Sequence, residues 1–211
     1  MLTNLAMLFL ISTSVTTNTV SQYSYTIQEQ SWISIAGSSN VNSFECFSNS
    51  NFTKGIIYVN TTENGNAIAF SEAQMALEIE SFDCKNPILN KDMYKALGAH
   101  KNPNILIELL DAEFMHSEVQ NPHSGNINVS ATITINGNCQ TMNFPIQWVR
   151  ISGTDIRFVG SQNINMTDFD IKPPSPAFGL VKVNDLITIN FHLIVQTNTS
   201  VFADGVKLGQ P

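Results

Sequence analysis

Residues 128–148 read NVSATITINGNCQTMNFPIQW, and their rhythm decides the fold class. Val129, Ala131, Ile133 and Ile135 alternate with Ser130, Thr132 and Thr134, so an extended chain puts every apolar side chain on one face. Asn136-Gly137 follows. Both positions tolerate the positive φ of a type I′ turn, and the chain reverses there in a two-residue hairpin. Met142, Phe144, Ile146 and Trp148 resume the alternation on the return strand. Pro145 cannot donate to a ladder, which makes that strand an edge, a bulged strand or a late starter.

The same period-two signal recurs along the chain. Met75, Leu77 and Ile79 alternate with polar or small residues, and Ile187, Ile189, Phe191, Leu193 and Val195 form the clearest strand. Further strands are expected over 22–27, 32–36, 43–47, 54–59, 67–70, 105–111 and 156–160. One segment breaks the rhythm: NKDMYKAL, residues 90–97, offers Asn90 as N-cap, a stripe of Met93, Tyr94 and Leu97, and Gly98 as a stop. Many short antiparallel strands with one short helix imply an all-β sandwich or closed barrel. A barrel of about eight strands has room for packed side chains or for one small ligand, and alternation fits both. The inward-facing candidates are Met75, Leu77, Ile79, Ile107, Leu109, Ile133, Ile135, Phe144, Trp148, Phe158, Ile189, Phe191 and Leu193.

Composition narrows the function. Of 211 residues, 43% are hydrophobic and only 13% charged, and the net charge is -7. No basic run is present, which argues against nucleic acid, because phosphate contacts need clustered Lys and Arg. Leu5 to Ile11 is an apolar run of signal-peptide length, too short to span a bilayer, although no Lys or Arg precedes it. We therefore expect a signal peptide over residues 1–20, one domain over 21–211, no membrane-spanning segment in the mature chain, and a periplasmic or extracellular protein. Three cysteines, Cys46, Cys84 and Cys139, allow one disulfide; Cys46–Cys84 is one reading and small buried hydrophobes the other. Asn-x-Ser/Thr occurs at Asn51, Asn60, Asn128, Asn165 and Asn198, against about four expected by chance in so Asn- and Thr-rich a chain.

Candidates for catalysis are sparse. His116 and His123 flank a polar loop with Glu118, but two histidines and one carboxylate in such a loop read more simply as solvated. His100 stands alone, and His192 falls on the polar side of the last strand. In TDFDIKPPSPAFG, residues 167–179, Asp168 and Asp170 would share one side of an extended chain, with Phe169 and Ile171 on the other and Lys172 at the end. Paired carboxylates can do acid–base chemistry, yet nothing nearby resembles a substrate pocket. A rim connection before three prolines is the simpler reading. No metal, no cofactor and no catalytic residue is expected.

The order of motifs resembles the YceI-like family, over roughly residues 32–197. WISIAGSSNVNSFEC (32–46) looks like the family's opening. NKDMYKAL with NPNILIELLDAEF (102–114) is similar to its helix and long strand, and ATITINGNCQTMNFPI (131–146) to its hairpin. FVGSQNINMTDFDI (158–171) with VNDLITINFHLIV (183–195) is similar to its closing Asp-Phe motif and last strand. The chain departs from that pattern at Met166 and Thr167, where a basic residue is usual, at Asp170 for glycine, and at Asn138-Cys139-Gln140. The cysteine contexts look like a Bacteroidetes-type branch, which favours the Cys46–Cys84 disulfide. The resemblance implies a lipocalin-like antiparallel barrel and a secreted, non-enzymatic protein that holds a long-chain isoprenoid or fatty lipid inside it. A second copy of the chain is a further candidate partner. The alternative is an envelope protein, structural or stress-related, with a filled core and no ligand.

Overall fold

The computed structural model describes residues 20–48, 54–61, 67–114 and 123–198. Twelve strands occur among them: β1 (Val20–Ile27), β2 (Trp32–Ser38), β3 (Ser43–Ser48), β4 (Lys54–Thr61), β5 (Ala67–Ser71), β6 (Gln74–Glu78), β7 (Phe82–Asp83), β8 (Asn104–Phe114), β9 (Ser124–Ile135), β10 (Asn138–Arg150), β11 (Asp155–Asn165) and β12 (Leu186–Thr197), with one α-helix, α1 (Pro87–Ala96). All pairings are antiparallel. Eight strands close a ring in the order β1-β4-β5-β8-β9-β10-β11-β12, because β12 also pairs β1. The fold is an antiparallel β-barrel of the lipocalin-like kind.

Closure depends on β12. One edge pairs β11 from Asn165↔Leu186 to Asp155↔Gln196. The other pairs β2 over Thr188–His192 and then β1 over Val195–Thr197. β2 carries β3 and β7 outward as a branch from the ring. β8 is shared in the same manner: β6 pairs its first half and β5 its last residues, with a register shift between Leu109 and Asp111.

The hairpin forms as its sequence dictates. Asn136 and Gly137 both have positive φ, 52° and 81°, and the ladder runs from Asn138↔Ile135 to Val149↔Ser124. β10 begins ahead of Pro145, and the proline stands at a boundary. Only Ile146–Arg150 pair β11, whereas residues 138–145 have β9 alone. A 3₁₀ turn, Met166–Phe169, lies along that open edge. Asn138 Nδ2 donates to the Phe169 carbonyl at 2.9 Å and Gln140 Nε2 to the Asp168 carbonyl at 2.7 Å.

The Asp-Phe stretch is therefore not the extended strand that its alternation suggests. Asp170 ends the turn in the left-handed region, φ 57°, and its backbone N–H donates to the Thr167 carbonyl. Phe169 and Ile171 are buried while Asp168 and Asp170 are exposed, so the inside–outside division survives in a different backbone. Asp185 fixes the turn by accepting from Thr167 N at 2.9 Å and Thr167 Oγ1 at 2.6 Å.

The helix begins one turn before the position expected from sequence. Asn86, not Asn90, is the cap: its Oδ1 accepts from the backbone N of Ile88 and Leu89, and Pro87 fills the first helical position, where no N–H is needed. Asn90 instead braces the preceding segment, accepting from Cys84 N at 2.8 Å and donating to Asp83 at 3.0 Å. Gly98 at φ 72° ends the helix as expected. Met93 and Leu97 pack with Leu77, Ile79, Phe82, Ile105, Ile135 and Phe169, forming a solid core at this end of the barrel. Cys46 and Cys84 are disulfide-bonded, which ties β3 to the segment entering α1, and Cys139 is a free, exposed thiol.

Two predictions follow from this end of the molecule. Denatured, unreduced protein should show one titratable thiol; three would exclude the disulfide. The bridge closes a 38-residue separation, so in the loop-entropy account reduction costs about 4 kcal/mol and should lower Tm by roughly 10 °C. Separately, Asp83 accepts hydrogen bonds from Asn90 and from the Lys85 side chain and backbone, which hold its carboxyl down from 3.8 to about 2. A depressed folded pKa gives stability that is present above pH 4 and lost as pH falls through 2. Asp83→Asn should therefore melt below the wild type at pH 7, with the gap closing toward pH 2.

Candidate functional site: an apolar cavity in the barrel

The ring is not filled. A cavity of about 240 Å³ lies between its walls. An apolar cavity of about 150 Å³ in another protein accommodates benzene, so the space here is large enough for part of a hydrocarbon tail. Its wall draws on most of the ring. Met75 (β6), Ile107 and Leu109 (β8), Ile133 (β9), Phe144 (β10), Phe158 (β11), and Ile189, Phe191 and Leu193 (β12) all line it.

Four inward-facing candidates do not. Leu77, Ile79 and Ile135 belong to the core packed under α1 and do not line the cavity. Trp148 is buried among Ile127, Ile146 and Ile156 in a second apolar cluster without reaching the open space. Sequence reasoning missed a comparable set on the other wall: Tyr25 and Ile27 on β1, Ile33 on β2, Ile57 and Val59 on β4, Ile68 and Phe70 on β5, and Val195 and Thr197 at the end of β12. The register to partners already identified could have found several of these. Val195 pairs Ile27, and Ile189 pairs Ile35 two residues from Ile33.

Gly160 helps keep this volume open. A Cβ there would fall 2.5 Å from Phe191 Cζ and 2.8 Å from Ile146 Cγ2. With hydrogen in its place, the Phe191 ring lies against the β11 wall and meets Phe144 edge to face, centroids 6.3 Å apart.

The lining carries no Lys, Arg, His, Asp or Glu among the described residues; its polar members are Tyr25, Gln74, Gln162 and Thr197. Each of their polar groups named here is turned to protein. Tyr25 Oη donates to the Gln74 carbonyl at 3.4 Å, Gln162 Nε2 to the Asn163 carbonyl at 2.9 Å, and Thr197 Oγ1 to the Thr154 carbonyl at 3.2 Å. Burial pushes the Tyr25 phenol above its ordinary value, so it stays neutral at physiological pH.

The other candidate residues lie elsewhere. Asp168, Asp170 and Lys172 are exposed, outside the cavity lining. His192 faces outward and stacks on Trp32, centroids 5.9 Å apart with rings 8° from parallel. His100 and His123 are exposed, and His116 and Glu118 fall outside the described residues, as do 1–19 of the expected signal peptide. Among the described residues, no group of three or more His, Cys, Asp or Glu converges as a metal site.

Solved structures share this architecture. BcnA from Burkholderia cenocepacia superposes with TM-score 0.57 at 20% identity, covering 78% of this chain and 96% of its own. A polyisoprenoid binding domain from Saccharophagus degradans superposes with TM-score 0.60 at 11% identity, covering 82% and 97%. At these identities the likeness is one of fold. No curated protein sequence is significantly similar to this one. The sequence pattern of the YceI-like domain matches residues 25–195. With that match reaching every strand of the ring, the chain belongs to the YceI-like family.

Proposed function

We propose that this protein is a non-enzymatic carrier that holds the apolar tail of an isoprenoid or other amphiphilic lipid in its barrel. The single observation that carries this reading is the cavity of about 240 Å³, whose wall is hydrocarbon apart from neutral side chains. Each methylene moved from water into such a wall gains about 0.8 kcal/mol. A tail of about ten carbons then keeps several kcal/mol after ordering costs. A charged headgroup would find no counter-ion inside, so the cargo is uncharged where it is enclosed, and any ionised group stays at the mouth. The open interior speaks against the filled-core alternative. Family membership and the shared fold of a polyisoprenoid binding domain support the same reading.

Binding rather than catalysis fits the wall, since acid–base work needs ionisable groups at the reacting atoms, and among the described lining residues Tyr25 alone is ionisable, with its hydroxyl turned to the Gln74 carbonyl. Export to the periplasm or the exterior belongs to this proposal. The Cys46–Cys84 bridge supports it, because disulfides persist in oxidising compartments, and so does the apolar run at 5–11.

Organic extraction of purified protein followed by mass spectrometry should yield one lipid class near one equivalent. Ala112, on β8, lines the cavity, and Ala112→Phe would project a ring into it. That variant should fold at a cost of about 1–3 kcal/mol and lose most of the bound lipid. An empty wild type, or an Ala112→Phe protein with undiminished lipid, would overturn the proposal.

A further inference from the structure

The four most exposed large apolar side chains among the described residues sit at one end of the barrel. Phe178 is fully exposed, Leu180 76%, Ile88 74% and Val41 65%. All belong to the helix end: Ile88 is in the first turn of α1, Val41 in the β2–β3 turn, and Phe178 and Leu180 in the loop between the Asp-Phe turn and β12. Soluble proteins expose single hydrophobes freely, but the most exposed ones concentrated on one end call for a reason.

The loop is built to hold them out. Ala177 and Phe178 both occupy the left-handed region, φ 53° and 57°, before Gly179 at 85°. For an alanine and an aromatic residue that conformation is strained and persists only where surroundings enforce it. They do so here. Val181 N and Gly179 N donate to the Pro176 carbonyl, and Val183 N to the Pro174 carbonyl. Asn40 clamps the loop to the β2–β3 turn: its side chain donates to the Leu180 carbonyl at 3.0 Å and accepts from Lys182 N at 2.7 Å, while its backbone N donates to the Lys182 carbonyl at 3.1 Å. Pro174 and Pro176 line a cleft of about 50 Å³ together with Leu89 and Met93 of α1. The loop and the β2–β3 turn are thus bound into one platform beside α1.

We infer that this platform docks the protein on a lipid bilayer, with Phe178, Leu180, Val41 and Ile88 entering the headgroup–acyl boundary. The four side chains rise from three segments, the first turn of α1, the β2–β3 turn and the loop before β12, rather than from one strand or helix face. Separate apolar points suit a fluid interface, which closes around each. Lys172 and Lys182 flank the loop and are exposed, within reach of headgroup phosphates. Asp168, Asp170 and Asp185 lie on the same end, and with a net charge of -7 they favour a zwitterionic surface over a strongly anionic one.

Flotation with phosphatidylcholine vesicles tests the inference on the full chain. Wild type should float, F178S/L180S should bind at least about tenfold more weakly, and V159S, on the barrel wall, should match wild type. Ala112→Phe should also float normally, which separates docking from cargo binding. Should F178S/L180S fail to fold, F178W read against wild type in vesicles of brominated phosphatidylcholine replaces it, with quenching of the added tryptophan expected. Wild type left unbound, equal binding by F178S/L180S, an unquenched F178W, or self-association that depends on Phe178 without vesicle binding would each overturn the inference.

Discussion

Everything in the barrel hangs on the two edges of β12. A twelve-residue strand pairs β11 along its length on one side, and divides the other side between β2 and β1. That division lets a single strand both close a ring and support a branch of β2, β3 and β7. It also sets the ring's width: with eight strands, the inward side chains do not have to meet at the centre.

The two ends of the molecule then take opposite solutions to the same packing problem. Under α1, Phe82, Phe169, Ile79 and Ile135 are fully packed, only a cleft of about 50 Å³ is left beside the helix, and the disulfide and the Asp83–Asn90 brace hold the approach to α1. Further along, the same strands present equally apolar residues to a space that stays open. Gly160 shows how fine the difference is. One missing methyl group lets the tip of the Phe191 ring rest against the wall. A solid end gives rigidity, and the hollow region then needs no plug of its own.

The ring was legible in the sequence because alternation and Asn136-Gly137 are local signals. Val129 to Ile135 could not face the core any other way. Which inward residues border empty space was not legible, since Leu77 and Met75 follow one alternation and part company only where α1 caps the barrel. The helix start failed for a related reason. Asn86 carries the local signal of Pro87 at the first helical position, and the tertiary demand on Asn90 from Cys84 and Asp83, which no local pattern shows, removes Asn90 as a cap. The Asp-Phe stretch misled because a 3₁₀ turn closed by a left-handed aspartate can bury Phe169 and Ile171 just as a strand would. The cysteines were ambiguous until β3 and the α1 approach were placed side by side.

Pro145 has a kinetic meaning beyond its missing donor. Above it, the seam between β10 and β11 is held by side-chain amides of Asn138 and Gln140 reaching the main chain of a turn, while the other walls of the ring are laddered. Such bonds break singly, whereas a ladder opens cooperatively. This stretch of the seam can therefore loosen one bond at a time. Amide hydrogen exchange should be fast in the Met166–Phe169 turn and slow in the paired centres of β9 and β12, so the turn can move while the ladders beside it stay shut.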